Sequence, residues 1–305
     1  MPSSGLGWLL TSILLTIVRE CKLEPVLSVC VQVWVGEFFP PRTPQSEFLR
    51  LYSRRLTTVE GNTTFYATPN AETVARWRVE TPSTFRFCFK IPRAISHEPR
   101  LDTAKTQLMA FLERMRVLQE RLGPMFLQLP PSFGPAELPQ LEAFLQFWPG
   151  DVRLAVEVRH PEFYTEQHAS TLNNLLRQYN AARVMMDTRP IRIGAAKEQA
   201  LLQARERKPD LPLQVAITTD FTFVRYIGNP HMEANEPFFN EWAQQFAQWI
   251  EQGMTLYVFC HCPFEVHSPS ICRALYQRVR QMVALPPLPW EAESQEEDVE
   301  QGRLF

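Results

Sequence analysis

Leu154-Ala155-Val156-Glu157-Val158-Arg159-His160-Pro161 is a short apolar run with a carboxylate at its centre and a proline at its end. Its length and branched side chains predict a buried β-strand. In a strand covered on both faces, a carboxylate survives desolvation only if it is paired or functional. Arg159 lies two residues beyond Glu157, so both side chains leave the strand on the same side, and the guanidinium is the natural partner.

Runs of the same kind recur on either side of this one. Strands are predicted over residues 27–33, 57–60, 86–90, 125–128, 154–158, 183–186, 222–226 and 255–259, which makes eight. Amphipathic stretches of helical length separate them, over 45–55, 71–80, 103–121, 137–147, 166–179, 237–252 and 269–282. Proline or glycine punctuates many of the boundaries. Short strands alternating with helices are the pattern of βα units around a parallel sheet. The expected fold is therefore α/β, a single (β/α)8 TIM-type barrel over residues 25–285. Residues 190–212 break the rhythm and predict an enlarged βα loop with its own short helix, of the sort that shapes access to a barrel mouth.

The flanks read differently. Residues 1–24 form an atypical leader, foreign to the barrel units, with an apolar run too short to span a bilayer and neither a basic start nor a small-residue cleavage site. Residues 286–305 are acidic and poor in apolar side chains, as expected of a disordered tail. That tail closes on Gln301-Gly302-Arg303-Leu304-Phe305. The spacing of Gln301, Leu304 and Phe305 resembles the short peptide by which bacterial replication and repair proteins dock on the sliding clamp, which makes the clamp an expected partner.

Composition narrows the functional classes. With 305 residues, 45% of them hydrophobic, the chain can bury a large core without metal or disulfide. The formal net charge is -2 and the basic residues are scattered, which argues against a chain-wide grip on nucleic acid or anionic lipid. Six cysteines with no repeated Cys-x-x-Cys spacing read as reduced structural thiols, hence a cytoplasmic protein. Cys260 and Cys262 flank His261, but on a strand the middle residue points away from its neighbours, so the trio does not read as a zinc site.

In such a barrel, function gathers where the strands end. Glu60, Asn62 and Tyr66 follow the second strand, Lys90 and His97 the third, and Glu157, Arg159 and His160 the fifth. Asp187 ends the sixth, Arg225 lies in the seventh and His261 follows the eighth. Glu60, Glu157, His160 and Asp187 are the expected proton-moving groups. Lys90, Arg159 and Arg225 are expected to hold a phosphate or carboxylate, with Asn62, Tyr66, His97 and His261 completing the substrate site. The carboxylates and histidines also present a donor set for a divalent metal across several strands, although no local motif supports it. Trp34, Phe38, Phe39, Phe65, Tyr66, Phe133 and Tyr164 fall in loops at the same end and are expected to line a pocket or pack the core.

Ordered blocks along the chain resemble the YecE-like family, also called domain of unknown function 72. They are Trp34-Val35-Gly36-Glu37-Phe38-Phe39-Pro40, Phe48-Leu49-Arg50-Leu51-Tyr52-Ser53, and residues 59–66, 87–97, 123–133, 157–161 and 257–263. The resemblance spans about residues 29 to 285. It implies a (β/α)8 barrel, a cytosolic protein of bacterial type and no established activity. It also implies that Glu60, Asn62, Tyr66, Lys90, Gln128, Glu157, Arg159 and His160 occupy the family's motif positions, which adds Gln128 to the substrate site. The start departs from the family pattern, because Ser28-Val29-Cys30-Val31-Gln32 runs straight into Val33-Trp34. Three functions remain in view: an enzyme on a small anionic substrate, a nucleic-acid-associated barrel and a non-catalytic scaffold.

Overall fold

The computed structural model describes residues 13–17, 32–98, 100–289 and 291. Eight strands appear among these residues: β1 (Ile13–Ile17), β2 (Thr58–Gly61), β3 (Arg86–Phe89), β4 (Met125–Gln128), β5 (Leu154–Glu157), β6 (Ala182–Asp187), β7 (Phe221–Ile227) and β8 (Thr255–His261). Among the described residues these are accompanied by nine α-helices: α1 (Phe48–Arg55), α2 (Ala71–Glu80), α3 (Arg93–Ser96), α4 (Lys105–Met115), α5 (Leu138–Gln146), α6 (Glu166–Gln178), α7 (Gln199–Arg207), α8 (Glu236–Glu251) and α9 (Ser268–Arg280). The protein is thus an α/β fold of parallel strands. Six strands form one sheet in the order β1-β8-β7-β6-β5-β4, and β2 pairs with β3 in a second. Isolated parallel bridges from Phe87 to Leu122 and from Lys90 to Phe126 join β3 to the β4 side.

Seven strands stand where the apolar runs placed them, within a residue or two. Residues 27–31 of the expected first strand lie outside the described residues, and Gln32–Trp34 form a 3-10 turn. The first strand described is Ile13–Ile17, inside the expected leader. It runs parallel to β8 in register from Ile13 opposite Leu256 to Ile17 opposite Cys260. A strand's place is set by the partner edge it covers as much as by its own sequence. The edge of β8 takes Ile13–Ile17, four of whose five residues are isoleucine or leucine.

The expected tail is corrected at its start as well. Leu288 and Glu291 are buried. Glu291 accepts hydrogen bonds from Arg273 and Gln277 on α9 and from the Leu288 backbone N–H. An acidic residue counts against order only until it meets a matching basic helix face. Gln301, Leu304 and Phe305 lie outside the described residues, as do Cys21 and Cys30.

Two faces of the strands carry two cores. One face meets the helices through residues such as Trp77, Leu112, Phe144, Leu172, Trp242 and Leu275. The other gathers Cys88, Phe126, Ala155, Val184, Phe223 and Phe259, drawn from β3 to β8 at alternate positions. Gly61 is needed at the end of β2, because a Cβ there would lie 2.4 Å from the Phe89 ring. The loop after β6 is enlarged as expected. It contains α7, whose Leu201 packs with Ile191 and Ile227 over the strand ends. Cys88, Cys260, Cys262 and Cys272 are buried free thiols. Among the described residues, no helix is long and apolar enough to cross a membrane.

Candidate active site

One step further along the inner face, two residues beyond this apolar layer, the side chains change character. Thr58 is followed by Glu60 on β2, and Cys88 by Lys90 after β3. Phe126 gives way to Gln128 on β4, and Ala155 to Glu157 on β5. Phe223 is followed by Arg225 on β7, and Phe259 by His261 on β8. Period-two alternation aims all six at the same space. All six are buried.

Arg225 is the hub. Its Nε and Nη2 donate to the two carboxylate oxygens of Glu60 at 2.9 and 2.8 Å. Its Nη1 donates to Glu157 Oε2 at 2.8 Å. The other oxygen of Glu157 accepts from Arg159 Nε at 2.8 Å. Asn62 Nδ2 donates to Glu60 at 2.8 Å. Arg159 Nη2 and Lys90 Nζ both donate to the same atom, Gln128 Oε1, at 2.8 and 3.0 Å. A continuous polar chain therefore runs from Lys90 through Gln128, Arg159, Glu157 and Arg225 to Glu60. Its Arg–carboxylate contacts are charge-assisted, and the fork on Glu60 uses both oxygens, the strongest geometry for such pairs.

Electrostatics follow from this wiring. Burial pushes the Glu60 carboxyl up, but the charge of Arg225 and the neighbouring His261 outweigh it and hold the group below the ordinary carboxylate range. In Glu157 burial is likewise overcome, by Arg225, Arg159 and Lys90. Both carboxylates are ionised at neutral pH. His97 moves the other way: burial, then Lys90, Arg93 and Arg159, lower it to about 4. Its Nδ1 is 2.8 Å from Ser96 Oγ, and its ring stands edge-on to Phe65. Lys90 Nζ lies 3.7 Å from the centre of that same Phe65 ring, a cation–π contact.

A family model described as "Protein of unknown function DUF72" matches residues 31–293. The chain belongs to the DUF72 family. It is 39% identical over 249 residues to UPF0759 protein YecE of Escherichia coli (strain K12), covering 80% of this chain and 91% of that protein. It is 28% identical over 147 residues to UPF0759 protein YunF of Bacillus subtilis (strain 168), covering 42% and 50%. Two solved DUF72 family structures share its fold. TM1631 of Thermotoga maritima MSB8 has a TM-score of 0.59 at 18% identity and covers 83% of this chain and 96% of its own. EF0366 of Enterococcus faecalis V583 has a TM-score of 0.59 at 19% identity and covers 80% and 96%. At such identity these structures speak for the fold alone.

Within this DUF72 chain the expected site residues divide into groups. Glu60, Asn62, Lys90, Gln128, Glu157, Arg159 and Arg225 come together as one network, with His261 beside it and His97 at its Lys90 end. Tyr66, half exposed, stacks edge-on against Phe65. Asp187 is not part of the network. It is fully buried and accepts from Arg189 and from Trp242 Nε1 of α8, on the helix side of β6. His160 turns away too: its Nδ1 accepts from the Glu162 backbone N–H, capping the next turn, and its ring rests near Gly134. Trp34, Phe38 and Phe39 are core residues, and Tyr164 donates to the Val158 carbonyl. No three His, Cys, Asp or Glu side chains among the described residues converge as a metal cluster.

Sequence reasoning assigned Glu157 to Arg159 and missed that Arg225 ties Glu157 to Glu60 across the sheets. The signal was present in Phe221–Ile227, where an arginine sits inside an otherwise apolar strand buried throughout. Phe65 as the platform for Lys90 and His97 had no sequence signal beyond being aromatic.

Proposed function

We propose that this protein is an enzyme acting on a small anionic molecule that bears a phosphate or carboxylate, bound at the strand C-terminal end of a closed (β/α)8 barrel. Closure is supported by the bridges from β3 to the β4 side and by the place of β1 between β8 and β2. The observation that carries the ligand class is the convergence of Lys90 and Arg159 on a single oxygen, that of Gln128. Two cations from different strands aimed at one acceptor are also positioned to grip one oxygen of an anion, and the carboxylates behind Arg159 hold its guanidinium in place. Arg225 is 1% exposed and saturated by two carboxylates, so its part is to fix the network.

A polynucleotide is a poorer fit, since these cations are sunk at the strand ends where an extended backbone would not run. The buried free thiols support a reducing, cytoplasmic setting. The test is a melting-temperature screen of the full chain against phosphorylated and carboxylated metabolites, repeated with Lys90→Met. A set of anions that raises Tm in the native chain and not in the variant is expected. No stabilisation by any anion, or stabilisation equal in the variant, would sink the reading.

A further inference from the structure

Beside the network stands one polar atom that it does not satisfy. His261 is 4% exposed, and its Nε2 is buried without a hydrogen-bond partner among the described residues. It points toward Glu60 Oε2 at 3.7 Å, too far for a hydrogen bond. A buried ring nitrogen of this kind calls for an explanation, because leaving it unpaired is costly. The ring sits at the β8 position of the inner polar layer, at the opposite end of the chain of contacts from Lys90.

The charged groups facing His261 come from three elements: Glu60 on β2, Arg225 on β7, and Lys208 in the segment after α7. Burial disfavours the protonated ring, Arg225 and Lys208 add to that, and Glu60 opposes them. An anion entering the site adds negative charge to a polar layer whose cations oppose protonation of the ring, and leaves Glu60 within reach of an imidazolium. Lys90, Arg159 and Arg225 against Glu60 and Glu157 sum to one positive charge; a protonated His261 makes two.

We propose that His261, backed by Glu60, is the proton-transfer group of this site, and that it takes up one proton as a dianionic ligand such as a phosphate monoester or a dicarboxylate binds. The inference rests on the anion-site reading above and assigns the proton chemistry to His261 in place of His160 or Asp187. In the binding step the neutral ring takes up one proton from solvent to become an imidazolium, no heavy-atom bond changes, and its Nε2–H closes on Glu60 Oε2. Of the two ring N–H groups, Glu60 then holds one and the other is available to the ligand. By linkage, affinity for a dianion rises as pH falls toward the acid side of neutrality.

Inorganic sulfate is the probe, since it remains a dianion throughout this range. The full chain, labelled with nitrogen-15 at its six histidines, is titrated with sulfate at pH 6 and followed by imidazole nitrogen NMR. Binding is expected to move the His261 resonances from neutral to imidazolium, and His261→Gln is expected to bind sulfate about tenfold more weakly with no proton uptake. Sulfate binding that depends on Lys90 but leaves His261 neutral, or that protonates His97 instead, overturns this inference and leaves the anion site standing. Absence of sulfate binding to a folded native chain overturns the anion site, and this inference with it.

Discussion

Two buried carboxylate clusters occupy neighbouring strands and do different things. Glu60 and Glu157 face inward, where Arg225, Arg159, Lys90 and His261 meet them. Asp187, at the end of β6, faces outward and is taken up by Arg189 and the Trp242 indole, while Glu241 of α8 holds the other side of Arg189. On β6 the inward positions belong to Val184 and its alternates, so Asp187 is one residue out of phase with the site. The contrast teaches that a buried acid at a strand end does not mark a site; its parity along the strand does. The outward cluster fastens a strand to a helix, and the inward one is the cluster to which the proposed function assigns the ligand.

The largest effect expected from perturbing this arrangement comes from removing residues 1–17. That deletion strips β1 from β8 and uncovers the edge it protects, so loss of soluble, folded protein is expected by expression and circular dichroism. A deletion variant that folds normally would show that β8 does not need this partner.

Next comes Arg225→Met, which leaves Glu60 and Glu157 facing each other without their shared cation. A loss of about 3–5 kcal/mol in denaturant unfolding is expected, as for one member of a buried pair. A change below about 1 kcal/mol would mean that the hub is solvated.

Asp187→Asn is expected to cost about 1–3 kcal/mol by weakening the contacts with Arg189 and Trp242, and to leave sulfate affinity unaltered. Lost affinity would break the distinction drawn between the two clusters. Lys90→Met should do the reverse, with an unfolding change of about 1 kcal/mol or less and a loss of sulfate binding.

Acid titration gives the smallest and most separable effect. Glu60 and Glu157 are held below their ordinary value of 4.5, so their contribution to stability is complete above that pH and is lost as pH falls below it. His97 is lowered from 6.5 to about 4, so the unfolded chain binds this proton first and stability declines between those two values. His97→Gln should make the decline below pH 6.5 shallower, leaving the part that His261, likewise lowered by burial, contributes, and spare the steeper one below 4.5. An unchanged profile would place His97 in open solvent.

Much of this was legible in the chain itself. Alternating apolar runs and amphipathic stretches determined seven strands and the helices between them, because period and turn chemistry are local properties. Glu157 inside Leu154–Glu157 and Arg225 inside Phe221–Ile227 announced buried charge for the same reason. Tertiary structure alone decided the rest. The edge of β8 selected Ile13–Ile17 as its neighbour, an α9 face of basic side chains ordered Glu291, and the closing of separate strands onto one space gave Glu157 a second partner in Arg225. Whether Asp187 or His261 looks into that space depends on a single residue of phase at a strand end, and only the three-dimensional register sets that phase.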